Sequence, residues 1–90
     1  MLDSANRLTI PSALMEQSNL KGEKKVYITV ENGNIHFIPY SQGAEGHKVF
    51  DVRSLDAKRR ITLPTSFVKV SSEWEVYLLN GEIWATRQLL

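Results

Sequence analysis

The sequence predicts one small domain of mainly β structure with short helices, built from two copies of a half-unit. A ten-residue stretch at positions 2–11 returns 53 positions later at positions 55–64, with Leu, Asp, Arg, Thr and Pro in matching places. Each copy is followed by an Asn-Gly pair between two stretches of alternating apolar and polar residues, a pattern typical of a β-hairpin with a tight turn. Because a fixed-period repeat constrains the whole architecture, the fold class depends mainly on this repeat.

The first copy begins with a turn, a short strand and a short helix. Residues 3–6 are turn formers, residues 8–10 alternate as in a strand, and Pro11 suits the first position of a helix. We expect that helix over residues 12–20. Its inward-facing side chains are predicted to be Ala13, Leu14 and Leu20.

The second copy repeats this order. Residues 49–52 return to β-forming side chains and lead into the repeated motif. Within the motif, residues 60–63 are expected to form a strand, and Pro64 to begin a helix that ends near residue 71. The apolar positions of that helix are Phe67 and Val70.

The hairpin turns are predicted at Asn32-Gly33 and Asn80-Gly81, because a type I′ turn requires positive φ at both central residues. We divide the chain into half-units 1–39 and 49–90, joined by a polar linker at residues 40–48. A half-unit of this size cannot enclose both faces of its strands. The two are therefore expected to pack as a pseudo-twofold pair in one compact domain.

Composition excludes several classes of protein. The chain has no cysteine, which excludes disulfides and thiolate chemistry and is compatible with a cytoplasmic location. Asp3 and Arg7 interrupt the amino-terminal stretch, so we expect no signal peptide. No apolar run approaches the roughly 20 residues of a membrane-spanning helix. With a net charge of +1, binding to nucleic acid must depend on where the charges lie.

The sequence does not predict an enzyme. It contains no glycine-rich phosphate loop, nucleophile elbow or zinc-binding helix motif. The two imidazoles, His36 and His47, have no carboxylate or cysteine at ligand spacing, so we expect neither a metal nor a cofactor. Asp3 and Asp56 are expected to accept backbone N–H groups in their turns and to orient the neighbouring arginines.

The repeated motif, Asp-x-x-x-Arg followed by alternating aliphatic residues, Thr and Pro, resembles the AbrB/MazE/MraZ superfamily of swapped-hairpin β-barrels. The second copy, residues 54–67, is most similar to MraZ or to the AbrB amino-terminal domain. The resemblance covers about residues 2–39 and 49–86. It implies an AbrB-like barrel, formed here as an intrachain pseudo-dimer, with arginines on one face that contact double-stranded DNA. The implied function is transcription regulation.

The resemblance places DNA contacts at the motif arginines Arg7 and Arg60, and at Arg53 on the strand before the second turn. The family's glycine before the motif arginine is Asn6 in the first copy and Arg59 in the second. Asn adopts the required backbone geometry at small cost, whereas Arg needs support or a reshaped turn. Basic residues are concentrated in the second copy, which is expected to carry most of the interface. The predicted DNA-binding residues are Arg7, Arg53, Lys58, Arg59, Arg60 and Lys69.

The alternative function is a protein-interaction module, antitoxin-like or a degenerate AbrB barrel, without strong DNA binding. The first copy lacks most of its leading strand, so we expect a sheet edge that is filled by residues 49–52 or by another chain. Assembly into at least a dimer is expected on this ground. Trp84 is the best candidate for an exposed aromatic residue at an interface between chains.

Overall fold

The computed structural model describes residues 2–88 and confirms a mainly β fold with two short α-helices. No helix in that range is long and apolar enough to cross a membrane. The strands are β1 (Arg7–Thr9), β2 (Lys25–Glu31), β3 (Asn34–Pro39), β4 (Val49–Ser54), β5 (Arg60–Thr62), β6 (Trp74–Leu79) and β7 (Glu82–Arg87); the helices are α1 (Ser12–Gln17) and α2 (Thr65–Val70), and a 3₁₀ helix spans Tyr40–Gln42.

Both predicted hairpins are present. Strands β2 and β3 pair on either side of Asn32-Gly33, and β6 and β7 pair on either side of Asn80-Gly81. All four turn residues have positive φ, from 51° at Asn80 to 80° at Gly33. The Asn-Gly pairs therefore have the positive φ at both central residues that a type I′ turn requires.

The strands of residues 2–88 form two antiparallel sheets. The five-stranded sheet has the order β4-β2-β3-β7-β6, and the two-stranded sheet consists of β1 and β5. Strand β4, which opens the second half-unit, pairs with β2 of the first. Residues 49–52 therefore lie beside β2 and do not cover β6, which is the outer strand at the other end of the sheet within residues 2–88.

Where strands of the two copies pair, residues of one copy lie opposite the equivalent residues of the other. In the two-stranded sheet, Leu8 lies opposite Ile61, which is its equivalent 53 positions later. From residues 24 and 72 onward, just before β2 and β6, the offset between copies is 48 positions. His36 therefore lies opposite its equivalent Trp84 where β3 meets β7. The strands of the two half-units thus meet at equivalent residues in both sheets.

The core is one cluster of buried apolar side chains drawn from both half-units and both sheets. Its fully or almost fully buried members include Leu8, Ile10, Leu20, Val26, Ile28, Ile35, Phe37, Ile61, Leu63, Ile83 and Ala85.

Helix α1 is shorter than predicted. The backbone turns away at Ser18, whose hydroxyl accepts the Leu20 N–H at 3.1 Å and competes with a further helical turn. Leu14 packs against the core and Leu20 is fully buried, as expected. The inward assignment of Ala13 is wrong: Met15 is the buried residue of this helix, and Ala13 is exposed.

Candidate nucleic-acid interface

The first copy of the motif folds into a turn organised by one carboxylate. Oδ1 of Asp3 accepts the backbone N–H groups of Ala5 and Arg7, each at 2.9 Å. Oδ2 accepts the side-chain Nε–H of Arg7 at 2.7 Å. One aspartate therefore closes the turn and fixes the orientation of the arginine, as the sequence predicts.

The second copy reproduces these contacts. Oδ1 of Asp56 accepts the backbone N–H groups of Lys58 and Arg60 at 2.9 Å, and Oδ2 accepts the Arg60 Nε–H at 2.7 Å. The main chain agrees too, since the Asp56 N–H donates to the Arg60 carbonyl at 3.1 Å and the Asp3 N–H to the Arg7 carbonyl at 3.2 Å. The repeat in sequence is therefore a repeat in geometry.

The pKa values of both aspartates are lowered by the hydrogen bonds of their turns. The backbone N–H of Arg7 holds the pKa of Asp3 below its ordinary value of 3.8, and the Arg7 side chain and the Ala5 N–H add to this effect. The backbone N–H of Arg60 lowers the pKa of Asp56 in the same way, assisted by the Arg60 side chain and the Lys58 N–H. Each donor favours the charged form because it hydrogen-bonds to it.

The residue before each motif arginine has left-handed backbone geometry, with φ of 61° at Asn6 and 62° at Arg59. Arg59 thus keeps the turn that Asn6 forms, although most residues other than glycine avoid this conformation. Its side chain is anchored across the ribbon, since Nε donates to the Ile10 carbonyl at 3.0 Å. This contact supplies the support that the sequence predicts Arg59 to need.

Strands β1 and β5 present one exposed face that carries both motif arginines. Arg7 lies opposite Thr62 and Thr9 opposite Arg60, while Leu8 faces Ile61 between them. Because side chains alternate along a strand, the two arginines and two threonines share one face. The opposite face is buried, with Leu8 2% and Ile61 0% exposed. Arg7 and Arg60 occupy a diagonal pair of positions, for which the typical spacing is about 7–8 Å.

The other predicted DNA-binding residues surround this ribbon less closely. Lys58 is exposed at the tip of the second turn, and Lys69 is exposed in the last turn of α2. Arg53 lies in the five-stranded sheet, where its Nε and Nη2 donate to Asp51 Oδ2 at 3.0 and 2.7 Å. Part of its charge is therefore neutralised within the protein. The pairing of β1 with β5 places Arg7 and Arg60 on one ribbon, whereas Arg53 lies on β4 at the edge of the other sheet.

Thr9 and Thr62 were not identified from the sequence as part of the interface. Both are exposed, and each lies directly opposite a motif arginine. Their hydroxyls can donate to or accept from a ligand bound on the arginine face. The signal was present, since each threonine occupies the same place in the repeated motif. Only the pairing register shows that the two copies place their threonines together.

Trp84 does not play the exposed role that the sequence predicted for it. Its ring is half-buried and stacks on His36, with ring centroids 4.1 Å apart and planes 3° from parallel. Within residues 2–88, two other aromatic residues are exposed, Tyr40 at 46% and Phe50 on β4 at 53%. The Phe50 ring contacts Phe67 of α2 at a centroid distance of 4.8 Å. Alternation along β7 predicts a surface position for Trp84, but His36 of β3 lies opposite this residue and covers one side of its ring.

No protein-family model, curated protein or solved structure matches this chain. The resemblance to the AbrB/MazE/MraZ superfamily therefore stays a prediction based on the repeated motif.

Proposed function

We propose that this protein binds double-stranded DNA through the exposed face of the β1–β5 ribbon and acts as a cytoplasmic transcription regulator of AbrB/MraZ type. The observation that carries the proposal is the register, which places Arg7 and Arg60 on one exposed face. In the same proposal, the two half-units form an intrachain pseudo-dimer of the swapped-hairpin kind. Pairing of β4 with β2, across the half-units, favours that arrangement.

The guanidinium groups are oriented for a ligand. Asp3 and Asp56 each engage the Nε edge of one arginine. Among residues 2–88, the terminal amino groups of Arg7 and Arg60 have no protein hydrogen-bond partner. An arginine held in this way presents two donors in a fixed plane, which suits phosphate oxygens or the edge of guanine. The entropy cost of ordering the side chain on binding is reduced because the turn has already ordered it.

The shape of the ribbon also suits DNA. The major groove admits a two-stranded β-ribbon, and an antiparallel ribbon presents alternate side chains to the base edges. Here those side chains are Arg7, Thr9, Arg60 and Thr62. Arginine and threonine both donate to phosphates and bases, and the threonine methyl group also contacts thymine. The proposed site therefore combines phosphate neutralisation with a small base-reading surface.

The two halves of the site are unequal. The turn of the second copy carries Lys58 and Arg59, where the first copy has Ala5 and Asn6. We propose that the second copy dominates phosphate contact and that the protein reads an asymmetric or loosely palindromic site. Homo-oligomerisation is also part of the proposal, through surfaces other than the outer edge of β6.

The experiment is a fluorescence anisotropy titration of a labelled mixed-sequence duplex, because the phosphate contribution to affinity does not depend on sequence. We expect Arg7→Ala and Arg60→Ala each to weaken binding by about 1–3 kcal/mol, with the larger loss at Arg60. Lys21→Ala is the matched control. It also removes one positive charge, but from an exposed ion pair with Glu16 that lies outside the ribbon.

The same titration distinguishes the alternative function. If Arg7→Ala, Arg60→Ala and Lys21→Ala all bind DNA as the wild-type protein does, the ribbon face is not a DNA site. The chain is then better regarded as a protein-interaction module that keeps the fold without strong DNA binding. Circular dichroism of each variant shows whether the fold is intact, so that a loss of binding is assigned to the side chain.

A further inference from the structure

One edge of the five-stranded sheet lacks a strand that the other edge has. Strand β4 covers the outer side of β2, with Arg53 opposite Val26 and Val52 opposite Tyr27. The equivalent of β2 in the second half-unit is β6, which ends the strand order. Among residues 2–88 no strand pairs with its outer side. Strand β4 therefore covers the outer side of β2, and within residues 2–88 the equivalent side of β6 is uncovered.

The main chain at the uncovered edge already begins the missing pairing. At the covered edge, the Leu55 N–H that follows β4 donates to the Lys24 carbonyl at 2.8 Å. At the uncovered edge, the equivalent Leu2 N–H donates to the equivalent Ser72 carbonyl at 3.1 Å. A strand beside β6 would thus continue a ladder whose last hydrogen bond is in place, in the register that β4 has beside β2.

The backbone of β6 is oriented to accept such a strand. The Ser72 carbonyl points away from β7, and the Glu73 carbonyl points toward it, since it accepts the Gln88 N–H at 2.9 Å. Because N–H and C=O groups alternate sides along a strand, the polar groups of Trp74, Val76 and Leu78 point outward. An edge with outward donors and acceptors is a template for strand addition.

A groove runs along this edge. It has a volume of about 510 Å³ and lies between β1 and β6. Besides Glu75, its lining residues are Leu8, Thr9, Pro11, Trp74, Val76 and Gln88. Its one charged lining residue within the described chain is Glu75, which is exposed and occupies the place of Tyr27 in the first half-unit. A strand that binds in the groove is thus expected to be positively charged at the position opposite Glu75, where β4 has the uncharged Val52 opposite Tyr27.

We propose that this groove binds an extended segment of a separate polypeptide, which adds to the sheet antiparallel to β6 and carries a basic side chain opposite Glu75. The main-chain ladder supplies affinity, and the cross-strand pair with Glu75 supplies selectivity. The groove adjoins the proposed DNA-binding face, because Thr9 belongs to both. Glu75 and Val76 lie on β6 and the arginines on the ribbon, so the two sites can be tested by separate substitutions. This interaction surface goes beyond the proposed function and does not depend on it.

The test uses the intact chain and two labelled peptides with the sequence of residues 48–54, in which the position of Val52 is changed. The register of β4 places this position opposite Tyr27, so in the groove it lies opposite Glu75. We expect the Val52→Lys peptide to bind about two- to tenfold more tightly than the Val52→Glu peptide, measured by anisotropy. In the Glu75→Lys protein the order of the two peptides should reverse.

A second variant tests the ladder. Val76→Pro removes an outward N–H without removing one that faces β7, so both peptides should lose binding while circular dichroism stays unchanged. The proposal is overturned if neither peptide binds at protein concentrations up to about 1 mM. It is also overturned if the Glu75→Lys protein binds the two peptides in the same order of affinity as the wild-type protein. A dimer of the chain alone that Val76→Pro dissociates would likewise overturn it, since a second copy would then occupy the groove.

Discussion

Asp3 and Asp56 each have two tasks, because one carboxylate both closes a turn and orients an arginine. Oδ1 accepts backbone groups and Oδ2 accepts the arginine Nε in both copies. The same negative charge that fixes the arginine also lowers the local positive potential. In the proposed DNA complex, the carboxylate therefore weakens the long-range attraction between the protein and DNA. In return, it holds the guanidinium group in a defined direction before DNA binds.

The Asp56 carboxylate links the turn to pH. Its pKa is lowered in the folded protein, first by the Arg60 backbone N–H, so its stabilising contribution is complete above the unfolded value of 3.8 and is lost as pH falls through the lower folded value. We expect Asp56→Asn to lower the urea midpoint at pH 7. The difference from wild type should shrink as pH falls toward and below 3.8, as followed by tryptophan fluorescence.

Lys58→Ala is the matched control for this pH series. It removes a positive charge from the same turn but keeps the backbone N–H that donates to Asp56 Oδ1. Its urea midpoint should therefore follow that of wild type through the acid range. An Asp56→Asn protein whose deficit persists unchanged below the acid transition would contradict the assigned role of the carboxylate.

At the residue scale, the sequence predicted the aspartates and arginines of the turns because the repeat shows them twice. The position of Thr9 and Thr62 could not be predicted, since it depends on which strands pair and in which register. The contact from Arg59 Nε to the Ile10 carbonyl spans 49 residues and has no local sequence signal. Side-chain roles within a turn are local, whereas roles between turns require the tertiary structure.

At the scale of elements, the hairpin turns are the most reliably predicted features. Both Asn-Gly pairs have the positive φ values that a type I′ turn requires. Helix ends were predicted less well, because Ser18 ends α1 through a local hydrogen bond that apolar periodicity does not reveal. The burial of Met15 in place of Ala13 follows from the direction in which this short helix faces the core.

The hairpin turn of the second half-unit gives a prediction about stability. A β-carbon at Gly81 would contact nothing within 4 Å, but the residue has φ of +78°. Gly81→Ala should therefore destabilise the protein by about 1–2 kcal/mol through backbone strain alone. Asn80→Gly, which keeps the positive φ accessible, should change stability by much less.

Urea denaturation of the two variants, followed by tryptophan fluorescence, measures this difference. Equal midpoints for Gly81→Ala and Asn80→Gly would show that the turn is remodelled at little cost. In that case, the turn would not fix the register of β6 and β7. That register also positions the groove along β6, so peptide binding by Gly81→Ala offers a second readout.

At the scale of the whole molecule, the two half-units share the order of short strand, helix and hairpin, but they differ in chemistry and, within residues 2–88, only the second has a strand before its repeated motif. Equivalent residues meet at Leu8 and Ile61 and again at His36 and Trp84. The repeat predicted this relationship, and it predicted that an edge would remain. It did not predict which strand would carry that edge, because β4 could pair with either hairpin until the tertiary structure placed it beside β2.

The two half-units present surfaces that differ in charge. The ribbon of β1 and β5 presents arginines from both copies, and the second copy adds Lys58 and Arg59 at its turn. The edge of β6 presents a groove with Glu75. In the two proposals, DNA contacts the arginine face of the ribbon and a protein segment binds at the adjoining edge of β6, with Thr9 lying in both surfaces.

The salt dependence of DNA affinity tests the central claim most directly. If the ribbon neutralises four to six phosphates, the logarithm of affinity should fall with the logarithm of salt concentration with a slope of about −4 to −5. The double variant Arg7→Ala/Arg60→Ala should bind more weakly with a slope shallower by about 2, because two phosphate contacts are lost. Parallel lines for the double variant and wild type would contradict the claim that these arginines form the DNA-binding face.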